Sequence, residues 1–250
     1  MAVLVREVTG RLYGVGMDYI PRRTASELPF ESTDILLRYS FEHPALPFEF
    51  EDTLEVWSVG ILQYHHEDGC PQCPPADMCR FHDGTPIGEM RFVKIRGFTA
   101  DPAWEAADSH TGDIEKIVAV CTDPAYAMTP GLHWSPEFEE RIDCPVGDLL
   151  IMDRVRIEPQ WRGFGIGALA AAESIRRLAA GCCAVACEPA PTDGDYEDDE
   201  PGYQAAQAKI ARVWESVGFQ EFSNGIYLLD PAFQHPIDCR TSWQKHFGRQ

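Results

Sequence analysis

Positive charge is scarce in this chain: 21 Lys and Arg stand against 40 Asp and Glu, a formal net charge of −19 over 250 residues. A nucleic-acid groove needs clustered Lys and Arg to displace counterions from phosphates, so the composition argues against that class of partner. It is compatible with a cationic small molecule or a basic protein surface. Long apolar runs are lacking as well. The opening MAVLVREVTG carries Glu7, and the most apolar later window is interrupted by Glu173, Arg176 and Arg177. Neither reads as a secretory leader or a membrane span, so the expectation is a soluble cytoplasmic protein with no membrane partner. No internal repeat is found, and no Gly-Lys-Ser/Thr closes a nucleoside-triphosphate loop.

What is present points to a mixed fold. With 44% hydrophobic residues the chain can bury a core without staples. Of its nine cysteines, Cys182, Cys183 and Cys187 sit in an apolar run that reads as buried strand, which predicts reduced thiols rather than a disulfide framework. Strand-like runs are expected at Val3 to Val8, Asp34 to Phe41, Leu54 to His65 and Ile87 to Arg96. Pro102 to about Thr122 reads as helix interrupted near Gly112. Asp123 to Gly147 reads as loop with a short helix from Ser135.

The last ninety residues are the most ordered in pattern. They predict a strand to Ile157, a helix to Ala180, a strand Ala184 to Cys187, an acidic loop at 193–200, a helix Tyr203 to Val217, and strands Phe219 to Phe222 and Gly225 to Leu229. The fold class is therefore α/β of the α+β kind, with an antiparallel finish rather than a repeated βαβ array. Residues 1–53 are an N-terminal elaboration, 54–230 the main domain, and 231–250 a C-terminal tail.

One stretch raises a chemical question: I157-E-P-Q-W-R-G-F-G-I-G-A-L places three glycines at alternate positions between a strand and a helix. The first turn of a helix has N–H groups without intrahelical partners and a partial positive charge, which suit an anion. Gly163, Gly165 and Gly167 let backbone approach a phosphate closely. Each costs the helix roughly 1 kcal/mol relative to alanine, so a function other than helix stability retains them. Close packing of the helix onto the sheet is the structural alternative. A dinucleotide site is a second, since Gly163, Gly165 and Ala168 satisfy G-x-G-x-x-A and Glu188 follows twenty positions on; yet Glu158 to Arg162 separate the strand from the first glycine, and few βα units remain.

The segment V155-R-I-E-P-Q-W-R-G-F-G-I-G-A-L resembles the acyl-CoA-binding signature Q/R-x-x-G-x-G/A of the GNAT N-acetyltransferase superfamily, here Gln160 to Gly165. A211-R-V-W-E-S-V-G-F219 resembles that superfamily's helix ending in Gly-Phe before the last strands. The resemblance covers roughly residues 148 to 230. It implies a mixed, mostly antiparallel sheet flanked by helices, whose central parallel strands splay apart to admit pantetheine. It further implies binding of acetyl-CoA, with pyrophosphate at the amides of Gln160, Trp161, Arg162, Gly163, Phe164, Gly165, Ile166, Gly167 and Ala168, and pantetheine along Val155, Arg156 and Ile157.

The implied activity is transfer of acetyl to an amine-bearing small molecule or protein, by direct attack on the thioester. The chain departs from the family in two places. Trp214 stands where many members have the tyrosine that protonates the departing thiolate, and indole is no acid at neutral pH, leaving Tyr203, Tyr227 or water. The helical segment also follows the first strand pair instead of preceding it. A non-catalytic acyl-CoA-binding module is the rival reading. Glu188 and then Asp153 are the candidate bases, with Asp148 a third carboxylate, and His133 and Trp134 are candidates to line the acceptor pocket.

A separate signal lies in the loop spanning 65–82. Cys70-x-x-Cys73 and Cys79-x-x-His82 supply four zinc donors within thirteen residues, and a two-residue spacer lets one turn present both donors of a pair. A structural zinc ion is one reading of this loop and a metal-free hairpin loop the other, with His65 and His66 as substitute ligands in the first.

Overall fold

The structure is a computed structural model that describes residues 20–65, 84–194, 196 and 199–248. Among these residues seven strands form one sheet: β1 Ile35–Phe41, β2 Leu54–Gln63, β3 Thr85–Ile95, β4 Asp148–Ile157, β5 Cys182–Cys187, β6 Gln220–Ser223 and β7 Ile226–Leu229. Their order is β1-β2-β3-β4-β5-β7-β6. Every neighbouring pair is antiparallel except β4 and β5. A single parallel pairing is not the sheet of a dinucleotide fold, which needs several βα units side by side.

Among the described residues six α-helices cover the sheet: α1 Ala103–His110, α2 Gly112–Cys121, α3 Pro136–Arg141, α4 Ile166–Leu178, α5 Glu200–Glu215 and α6 Gln234–Phe247. The break expected near Gly112 is real. Thr111 is extended, and its hydroxyl caps α2 by accepting from the Ile114 N–H at 3.3 Å. Ser135 caps α3 in the same way, accepting from Phe138 N–H at 3.2 Å, with Pro136 at the first helical position.

The sheet separates two apolar clusters. Leu150 and Met152 of β4 face one side, with Ile166, Ala170 and Ile175 of α4, Trp214 of α5 and Trp243 and Phe247 of α6. Leu149 and Ile151 face the other, with Ile114, Val118 and Phe138 from the helices between β3 and β4. A central strand covered on both faces carries an unbroken apolar run, which is why D-L-L-I-M shows no alternation. Each of its four side chains, at 3% exposure or less, contributes roughly 2 kcal/mol by burial.

Three expectations need correction. The segment 231–250 is not a tail: α6 packs on α4, and Trp243 is 5% exposed. Residues 35–41, set outside the main domain in the expected division, belong to the same sheet, because β1 pairs with β2 over its full length. The α4 and α5 helices also end at Leu178 and Glu215, short of the expected Ala180 and Val217. The expected strand Val3 to Val8 lies outside the described residues, as do Cys70, Cys73, Cys79, His82 and His66. Among the described residues no cluster of three or more His, Cys, Asp or Glu could hold a metal, and His65 shares a hydrogen bond of 2.7 Å with Thr85 Oγ1.

Candidate functional site

The parallel strands part company midway. Cα partners between β4 and β5 run from Asp148 and Cys182 to Ile151 and Ala186 and stop there, while β4 continues to Ile157 along β3 and β5 turns to β7 through Cys187 and Tyr227. The result is a wedge open toward the C-terminal ends of both strands. Glu158 N–H donates to Ile87 O at 2.9 Å, so by alternation the backbone groups of Val155 and Ile157 point away from β3 and into the wedge. A β-bulge between β3 and β4 makes Asp153 the extra residue, since Arg91 pairs with Arg154 and Phe92 with Met152. Bulges of this kind re-aim side chains beside functional sites.

A cleft of about 480 Å³ fills the wedge, lined by Val155, Ile157, Trp161 to Gly163, Gly165 to Ala168, both candidate carboxylates and Trp214. That volume falls within the range of small-molecule sites. Helix α4 opens into it with Gly165 as N-cap and no side chain capping its amides; Leu169 is the first residue of the helix to reach back, to Gly165 O at 3.1 Å. The amides of Ile166, Gly167 and Ala168 therefore remain available as anion donors at the cleft wall.

The three glycines differ in what the backbone requires of them. Gly163 (φ 89°) and Gly165 (φ 87°) are left-handed, a conformation that costs other residues about 1–2 kcal/mol. A side chain on Gly165 would also collide with the Trp243 ring of α6. Gly167 has ordinary helical geometry, and a Cβ there would sit 3.4 Å from Ile157 Cγ1, in contact with β4.

Of the residues whose backbone is expected at the cofactor site, three do not line the cleft. Phe164 is fully buried in the core, under the Arg23 guanidinium at 3.9 Å. Gln160 is exposed and its carbonyl accepts from Arg23 Nη1 at 3.1 Å. The Arg156 side chain lies on the opposite face of the sheet, in a second groove. Arg162 lines the cleft but is engaged, donating Nε to Ile157 O at 2.7 Å and Nη2 to Asp193 at 2.6 Å. Trp161 packs edge-on against Phe30, ring centroids 5.2 Å apart.

The carboxylates sort themselves by position. Asp148 sits at the closed end of the strand pair, accepting from Gly97 N–H at 2.9 Å, and has no place in the cleft. Asp153, 3% exposed, is ion-paired with Arg91. Glu188 accepts from Lys116 Nζ of α2 at 2.6 Å and is 20% exposed. His133 stacks on Tyr126 and Trp134 on Phe138, and neither reaches the cleft. Tyr203 and Tyr227 are also absent from its lining, and burial first, then Glu221 and Glu215, raises the Tyr227 phenol above its ordinary range.

Several groups escaped the sequence reading. Tyr196 is a hydroxyl that lines the cleft, and Lys209 a cation that does so from α5. Arg22 and Arg23 approach Gly163 from the N-terminal segment, and Arg23 N–H donates to Gly163 O at 3.1 Å. His110, at the end of α1, lies within electrostatic reach of Arg91 and Asp153. Burial first, and then Arg91, hold its imidazole below the ordinary 6.5, with Asp153 opposing. Nothing in the local pattern signals Lys209, Arg22, Arg23 or His110, because each comes from a distant segment, whereas Tyr196 belongs to the loop that follows β5.

No family model matches the chain, and a search of curated proteins finds no relative. Among solved structures, that of a mutant of KacT aligns with a TM-score of 0.35 and 10% identity, covering 75% of each chain. So loose a superposition carries no argument about the site. The class that the fold itself defines is an α/β protein with a mostly antiparallel seven-stranded sheet flanked by helices and opened between its two parallel strands.

Proposed function

We infer that the chain transfers an acetyl group from acetyl-CoA to an amine. The observation that carries the reading is the wedge between β4 and β5, with the glycine turn on one wall and two carboxylates at its apex. The amides of Ile166 to Ala168 suit a pyrophosphate, and Lys209 and Arg162 add positive charge at the cleft in an otherwise acidic chain. The inward-facing backbone of Val155 and Ile157 offers donors and acceptors to the pantetheine amides. Acetyl-CoA supplies an activated thioester; the residues of the chain position it and manage protons.

An amine must be neutral to attack the thioester carbonyl. As the C–N bond forms and the C–S bond breaks, the amine proton leaves through Glu188, directly or by way of water, and the thiolate takes a proton from Tyr196 or solvent. Glu188 is favoured over Asp153 because its partner Lys116 is on a flexible stem, whereas the Asp153 carboxylate is tied to a guanidinium in near-complete burial.

Calorimetry with acetyl-CoA and thiol release with a panel of amines test the reading. At a hundred times its dissociation constant acetyl-CoA should stabilise the fold by about 2.7 kcal/mol. Glu188→Gln should lower kcat by roughly a hundredfold while leaving CoA affinity intact. CoA binding without thiol release for any amine would instead support a non-catalytic CoA-binding module. Absence of CoA binding would discard both readings.

A further inference from the structure

The face of the sheet opposite α4 carries a second groove, of about 740 Å³, over strands β1 to β4. Two cross-strand rows form its floor. One runs Arg38, Gly60, Glu89, Arg156 and the other Ser40, Ser58, Arg91, Arg154. Small residues in the middle strand make the trough, and arginines stand along its β3–β4 bank. Thr192 and Asp193 line both this groove and the cleft, so the two meet at the open end of the wedge.

The charge arrangement is costly without a ligand. Arg91 and Arg154 are direct cross-strand partners, and like charges so placed destabilise a sheet. Asp153 offsets Arg91. Among the described residues Arg154 makes no ion pair, and Arg156 has Glu158 at a loose 3.9 Å with both side chains well exposed. Residues two apart on one strand face share a side and stand about 7 Å apart. That spacing lets two guanidinium forks grip one carboxylate or phosphate, the anions their planar geometry matches. Four arginines against two carboxylates line this groove in a chain whose net charge is −19.

Resting on the transferase reading, we propose that the amine acceptor is a small molecule bearing a carboxylate or phosphate, which Arg154 and Arg156 hold with its amine toward Glu188 and Asp153. This acceptor differs from the cationic one with which the net charge and the acidic loop 193–200 are compatible. Two of that loop's carboxylates have local work: Asp193 pairs with Arg162, and Asp199 caps α5 at 2.9 Å from Gly202 N. The bounded volume and the acidic surroundings disfavour a nucleic-acid strand.

Two measurements test this on the intact chain. Calorimetry with pyrophosphate and with tricarballylate should show binding that weakens at least tenfold in Arg154→Ser/Arg156→Ser, whichever of the two anions binds tighter naming the group. In acetyl transfer, O-phosphoethanolamine should outrun ethanolamine, or 4-aminobutyrate outrun putrescine, by tenfold or more in kcat/KM, and that preference should vanish in the double variant while its CoA affinity holds. CoA binding and transfer with no arginine-dependent anion preference would overturn the inference alone. Arginine-dependent anion binding in a chain that does not bind CoA would overturn the transferase reading and, with it, the acceptor assignment. Tighter arginine-dependent binding of single-stranded RNA than of either small anion would also overturn it.

Discussion

The Trp243 ring stands where a Cβ on Gly165 would have to be. Trp243 is itself fixed, 5% exposed and donating its indole N–H to Ser216 O at 3.2 Å. The middle glycine of the turn is therefore required twice, by its left-handed backbone and by the C-terminal helix, whether or not an anion binds. Gly165→Ala should destabilise the fold by about 2–4 kcal/mol, adding the conformational cost to that of overpacking. Denaturant unfolding of Gly165→Ala, Trp243→Ala and the double variant should give a clear coupling energy; strict additivity would show that the two residues do not press on each other. For the same reason a substitution at Gly165 is a poor probe of ligand binding.

Arg162 faces the cleft while bonded to Asp193, an exposed pair worth about 1 kcal/mol or less. A phosphate entering the cleft would compete with Asp193 for the same guanidinium. Asp193→Asn should therefore raise CoA affinity a few-fold, most visibly at low ionic strength where the competing carboxylate is least screened. Titration calorimetry that finds weaker binding in the variant would show that Asp193 holds Arg162 in its binding position.

His110 gives the fold a pH dependence of known sign. Its proton is held less tightly in the folded chain than the ordinary 6.5 would give, with burial the largest cause. Between the lowered value and 6.5 the unfolded chain binds more protons, so stability falls as pH drops through about 6.5 and levels off below the folded value. Unfolding midpoints measured from pH 7.5 down to 5 should lose part of that slope in His110→Gln. An unchanged slope would assign it to other groups.

The thiols should differ sharply in reactivity. Burial pushes Cys182 and Cys183 up to about 12 and Cys187 well above its ordinary value, while Cys144 is exposed. Among the described cysteines, Cys144 should react first with a thiol reagent in native buffer, and Cys121, Cys183 and Cys187 only on unfolding. Mass spectrometry of alkylated peptides reads the order directly, and early labelling of Cys187 would mean that the β5 end of the wedge opens readily.

The elements were legible because their causes are local. The D-L-L-I-M run announces a strand, Gly112 a break between helices, Ser135 a helix start, and the glycine turn a helix entrance that no side chain caps. The sequence places Asp153 on the strand before the glycine turn and Glu188 at the end of its neighbour, and the parting of the two strands was expected through the family resemblance. What the tertiary structure decided is which distant groups meet those ends. Arg91 on Asp153, Lys116 on Glu188, Arg23 on Phe164 and Trp243 on Gly165 each join segments far apart in the chain. Such contacts follow from sheet order and register, which no window of sequence encodes. The arginine groove is the clearest case: Arg38, Arg91, Arg154 and Arg156 belong to three separate strands, and only their pairing turns scattered charges in an acidic chain into one site.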